Sequence, residues 1–172
     1  MTTSLYSATV PVFLQILPQV AALLDKAEAH CSENGLAPEA ILNARLAEDM
    51  WPFSWQIRAC WLQSADAVDS TLSGERSPDF SDIAPAFAPL KQGIAGAISR
   101  LEAIKPADLD GAEGNEVSFK VRDMSLDFTA TNYLLHFALP NFFFHSSMAY
   151  AILRSQGFAI GKRDYLGALR TK

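Results

Sequence analysis

The sequence predicts an all-α protein, an up-down four-helix bundle with a small β-hairpin between its third and fourth helices. Three observations predict it. Apolar residues recur at alternating steps of four and three over residues 6–27 and 83–104, the seam of helices packed against one another. Glycine or proline stands at the ends of the long segments. Between the third and fourth of them the period drops to two, as in a half-buried strand.

The first helix is read from the stripe Tyr6, Val10, Phe13, Leu17, Val20, Leu24, Ala27, with Gly35 as its stop. Pro11 and Pro18 each lack a backbone donor, so a kink or a late start is expected. Ala37 to Asn43 forms a short helix with Pro38 near its first turn. Pro52 then opens a longer helix, Phe53 to about Leu72, on the weaker stripe Phe53, Ile57, Cys60, Ser64, Ala67, Thr71. "SGERSPDFSD" reads as a loop by composition.

The third long helix spans Asp82 to Ile104 on the stripe Ile83, Phe87, Leu90, Ile94, Ala97, Leu101, Ile104, and Pro106 follows it. Val117, Phe119 and Val121 alternate with polar neighbours, as do Leu126 and Phe128, which gives the hairpin. Thr129 or Thr131 caps the last helix, which runs to Gln156 with Gly157 as its stop and Pro140 as a kink or division. The tail from Phe158 is polar and is expected to wrap the bundle.

Composition bounds the function. The 172 residues are enough for one core, and the chain is expected to be one helical-bundle domain over 1–172. Net charge is -5 with no lysine and arginine cluster beyond Lys162-Arg163, so a nucleic-acid partner is not expected. Two cysteines, Cys31 and Cys60, make no disulfide framework, and a reduced, cytoplasmic setting is expected. "YSATVPVFLQILPQVAALL" is apolar enough to imitate a signal or a span. It has no preceding positive charge and is interrupted by proline and glutamine, so no membrane role is expected.

The chain carries no HExxH, no Gly-rich phosphate loop and no Ser-His-Asp order. Its candidate site residues are therefore the few polar groups on apolar stripes. Asn141 and His145 are four apart, share one helix face, and lie on the stripe continued by Met148 and Ile152, where His145 is either a buried histidine hydrogen-bonded across the bundle or a metal or catalytic group. His136 is nine residues before His145, about half a turn out of phase on a continuous helix. Asp49 lies in the broken segment "EDMWP", where it either pairs with Arg45 or reaches the bundle mouth as a partner of His145. Trp55, with Trp51 and Trp61, supplies core or rim aromatic surface around the second helix, and Trp55 is assigned to the pocket. Asp49, Trp55, His136, Asn141 and His145 form the expected ligand pocket.

"SLYSATVPVFLQIL", "LNARLAEDMWPFSWQI", "YLLHFALPNFFFH", "AYAILRSQG" and "DYLGAL" together resemble a bacterial family of unknown function within the DinB/YfiT-like superfamily of metal-dependent four-helix bundles. The resemblance spans nearly all of residues 4–167. It implies a divalent metal, zinc or nickel, on three histidines: one on the second helix and two on the last in an HxxxH pattern. Here His145 matches, Asn141 stands where the first histidine of that pattern would be, and the second-helix position falls near Cys60 or Trp61. His145 is then the remaining metal ligand of a degenerate site. Two functions follow. One is a small-ligand-binding or dimeric interaction protein, the homodimer suggested by Phe142, Phe143 and Phe144 pointing three ways. The other is a metal-dependent, transferase-like enzyme with an atypical site of His145, His136 and Asp49.

Overall fold

The computed structural model describes residues 3–81, 84, 86–169 and 171. The chain is mostly helical with one small sheet. Helix α1 is Leu5–Asn34, α2 Glu39–Leu42, α3 Phe53–Leu62, α4 Ala65–Ser73, α5 Phe87–Ala103 and α6 Pro106–Leu109. Strand β1 is Glu75–Arg76, β2 Glu116–Val121 and β3 Met124–Thr129. The C-terminal part holds α7 (Ala130–Asn132), a π-helical turn (Tyr133–Ala138), α8 (Leu139–Ser155) and α9 (Lys162–Leu166).

Four long helical segments enclose the core. α1 packs on α5 and α8, and α3 packs on the same two helices. The α1 stripe faces inward as expected: Val10, Phe13, Leu17, Val20, Leu24 and Ala27 have no exposed surface. Helix α1 starts at Leu5, ahead of both prolines, with the Ser4 hydroxyl accepting from the Ser7 N–H. Pro11 and Pro18 are tolerated inside it because they are seven apart, on one outward face away from the stripe. There the backbone acceptors they leave without a donor can meet water. Gly35 closes the helix in the left-handed region at φ 62°, as its position suggested. By length and composition alone α1 could also cross a membrane, and in this fold eleven of its residues are buried.

The expected single helix from Phe53 to Leu72 is two. α3 ends at Leu62 and α4 restarts at Ala65, because Ser64 leaves helical geometry (φ -121°, ψ -89°) with its hydroxyl bonded back to the Cys60 carbonyl at 2.6 Å. The stripe keeps its phase across the break, and Phe53, Ile57, Cys60, Ser64, Ala67 and Thr71 are all buried. α3 meets α5 where the Trp61 ring lies on Gly93, so close that a Cβ there would be 2.6 Å from the ring.

Helix α5 begins at Phe87, later than the expected Asp82. Asp82 and Ile83 lie outside the described residues, and Phe87, Leu90, Ile94, Ala97 and Leu101 are buried as the stripe required. The hairpin falls between α5 and α8, with each residue from Glu116 to Val121 paired antiparallel to one from Thr129 back to Met124. It is one part of a three-stranded sheet, since Glu75 and Arg76 of the expected loop pair parallel with Ser118 and Phe119. A two-residue strand is too short to show a period, so composition alone hid it.

Thr129 caps the last helical segment, accepting from the Asn132 N–H at 3.3 Å. Pro140 widens this segment rather than dividing it. The π turn over Tyr133–Ala138 directly precedes the proline, and its longer repeat relieves the clash of the ring with the preceding turn. The tail folds back on α1 through α9. Phe158 and Ile160 are buried, the Gln15 amide donates to the Leu166 carbonyl, and Lys26 pairs with Asp164.

Candidate functional site

His145 is on α8 and faces α3. It is 8 % exposed, and its Nδ1 lies 2.7 Å from Oε1 of Gln56. Gln56 is 1 % exposed, and its Nε2 donates to the Trp51 carbonyl at 3.0 Å. That second bond decides the chemistry of the first. Only the NH2 end of the amide can face a carbonyl, so the oxygen end faces His145 and Nδ1 must carry the proton. Burial pushes the His145 pKa down to about 4, so the ring is neutral near pH 7. A neutral imidazole protonated on Nδ1 has a lone pair on Nε2. No group among the described residues bonds Nε2. It is not a sealed orphan either, for among those residues only Arg58 Nε is fully buried without a partner. Among the described residues, then, nothing occupies the Nε2 lone pair.

Aromatic rings frame this atom. Trp51 stacks on the imidazole at 5.4 Å and 14°, and Phe144 meets it edge-on at 5.1 Å and 83°. Phe80 packs edgewise on Trp51 at 6.5 Å. Trp51, Phe80 and Phe144 remain 40, 44 and 51 % exposed. Three separate segments bring them together. Trp51 ends a loop closed by the Phe53 N–H donating to the Ala44 carbonyl at 2.8 Å. Phe144 precedes His145 on α8, and Phe80 comes from the segment after β1. The buried Arg58 guanidinium holds that segment by donating to the Asp79 and Ser81 carbonyls, and it also pairs with the Asp79 carboxylate at 3.3 Å.

Among the described residues, the residues singled out from sequence make no hydrogen bonds to one another. Asn141 bonds within its own helix, its amide donating to the Phe137 carbonyl at 2.7 Å. Asp49 and His136 are both exposed, and the hydrogen bond of His145 goes to Gln56 rather than to either of them. His136 faces outward while His145 points in, as their half-turn difference in phase requires. Trp55 stands one ring further away, 5.5 Å from Trp51, with the Arg58 guanidinium over its face at 5.1 Å. Sequence reasoning missed Gln56 and gave Trp51 no role beside His145. A signal for Gln56 existed: it lies three residues after Phe53 and four before Cys60, a glutamine on a core-facing stripe.

The residues present do not fit a zinc or nickel site. Among the described residues no three His, Cys, Asp or Glu side chains converge. At the second-helix position Cys60 is fully buried, its thiol pKa is raised by that burial, and its Sγ bonds the Gln56 carbonyl at 3.3 Å. Trp61 beside it has no metal-binding group.

Comparison with known proteins places this geometry in a family. The family described as "Domain of unknown function (DUF1993)" matches residues 5–166. A solved structure, a DinB family member protein from Shewanella denitrificans, is similar with TM-score 0.81 and 30% sequence identity, covering 98% of this chain and 94% of that one. Curated proteins returned no match.

Proposed function

The chain belongs to the DUF1993 family, and from that premise and the surroundings of His145 we propose that it binds a small ligand without a metal, at Nε2 of His145. The observation that carries this reading is the relay from His145 Nδ1 through Gln56 to the Trp51 carbonyl. It holds a neutral imidazole in one tautomer and leaves one acceptor at the edge of an aromatic rim. That acceptor is available to a ligand that brings a proton of its own. The up-down order of the four long helices belongs to the same proposal, supported by the DinB-like neighbour and by the packing of α1 and α3 on α5 and α8.

The test uses untagged protein, with metal content, thermal stability and tryptophan fluorescence measured for wild type and His145→Ala. The expected wild type lacks stoichiometric zinc or nickel and responds to small aromatic ligands. The variant loses that response and about 1–3 kcal/mol of stability, since Gln56 keeps a buried oxygen without a donor. Stoichiometric metal in wild type that vanishes in the variant would overturn this reading in favour of the transferase-like enzyme.

Self-association is a second proposal, favoured by Phe143 and Phe144 at 37 and 51 % exposure on the outer side of α8. Sedimentation at micromolar concentration is expected to return a homodimer. A species near 18.8 kDa alone would remove it.

A further inference from the structure

We propose that the ligand of the His145 site is a neutral aromatic hydrogen-bond donor of the phenol class, its hydroxyl donating to Nε2 and its ring covering Trp51 and Phe144. This rests on His145 being the binding residue and adds the chemistry of what it binds.

Three features of the site narrow the class. Gln56 occupies Nδ1, so Nε2 only accepts, and a partner must bring a proton of its own. The imidazole is locked between the Trp51 face and the Phe144 edge, so a group meeting Nε2 is held beside those rings and beside Phe80. Aromatic rings bury such surface with favourable edge and offset contacts, which an aliphatic alcohol of equal size lacks. Charge is disfavoured on both sides. The Arg58 guanidinium is not available to an anion, because it is committed to Asp79 and Ser81 and lies across Trp55, and the net charge of the chain is -5. Among the described residues no carboxylate bonds His145, whose polar partner is the neutral Gln56 amide. A cation would give up hydration for one imidazole nitrogen and ring faces.

The experiment titrates the full-length wild-type protein with phenol, toluene, benzoate and benzylamine, reading tryptophan fluorescence and the His145 15N shifts. Phenol and toluene have nearly the same shape and differ in the donor. Phenol is expected to bind about tenfold tighter than toluene, the effect of one neutral hydrogen bond, and to move the Nε2 resonance upfield while Nδ1 stays protonated. In His145→Phe the two ligands should bind within about twofold of each other. Should that variant fail to fold, the Nε2 shift in wild type decides alone. Toluene matching phenol, with shifts still centred on His145, overturns the phenol class and leaves the binding site standing. Tighter binding of benzoate or benzylamine overturns it equally. If no compound perturbs His145 or the tryptophans, the binding reading falls with it.

Discussion

Nδ1 of His145 and Oε1 of Gln56 lie 2.7 Å apart although 89 residues separate them in the chain. The contact joins α8 to α3 through two buried polar groups that have few other partners. Each is satisfied only because the other is present, so the pair specifies how the two helices meet as well as which imidazole tautomer results.

Removing Gln56 is therefore expected to change both. In Gln56→Leu the side chain keeps its approximate volume, while Nδ1 and the Trp51 carbonyl lose their partners. The loss should be about 1–3 kcal/mol in denaturant unfolding. The 15N spectrum of His145 should move from the Nδ1–H form towards the Nε2–H form, because no acceptor then holds the proton on Nδ1. An unchanged tautomer would show that Gln56 does not set it.

Stability should depend on pH through His145. Its pKa falls from 6.5 to about 4 on burial, so the unfolded chain binds the proton more readily than the folded one. Stability from this group is complete above pH 6.5 and is lost as pH falls towards 4, amounting to about 3 kcal/mol in full. Denaturant midpoints measured between pH 7.5 and 4.5 should fall in wild type more steeply than in His145→Phe. Parallel curves would place the titration elsewhere.

The bundle stripes were legible because packing repeats: each inward position of α1 and α5 is bounded by the next one three or four residues on. The site was less legible because its parts do not repeat. His145 could be placed on an apolar stripe, but its partner lies 89 residues earlier, and nothing local relates the two. Asn141 shares the spacing of His145 and still bonds to its own backbone, since the carbonyl of Phe137 is within reach of its amide. Asp49 looked eligible from its place in the broken segment "EDMWP" and His136 from its residue type, and both are exposed. The break at Ser64 and the two-residue strand β1 were invisible for a related reason, being set by the Ser64 back-bond and by pairing with β2.

Gly93→Ala tests the closest helix approach. The added methyl carbon would fall 2.6–2.8 Å from three atoms of the Trp61 ring, so the ring or α5 must move. Alanine favours helix over glycine by about 1 kcal/mol, and overpacking costs about 1–3 kcal/mol. The expected net effect is destabilisation, with a shift in tryptophan emission as Trp61 is displaced. A gain in thermal stability would mean that Trp61 turns away freely.

Arg58 fixes the segment that carries Phe80 to the aromatic rim. Arg58 is 3 % exposed, and its guanidinium donates to the Asp79 and Ser81 carbonyls and leaves Nε without a partner among the described residues. Its net contribution to stability is consequently small, because desolvating the charge offsets much of what the contacts return. Its local contribution is large, since its hydrogen bonds to the Asp79 and Ser81 carbonyls and its ion pair with Asp79 tie this segment to α3. Arg58→Leu should thus alter global stability by no more than about 1 kcal/mol, the apolar side chain filling the buried stem position. Proteolysis within residues 77–81 should be several-fold faster, and Trp51 emission should shift as Phe80 leaves its edge. A large fall in unfolding midpoint with no change in cleavage would reverse this assignment, making Arg58 a core element and the Phe80 segment independently ordered.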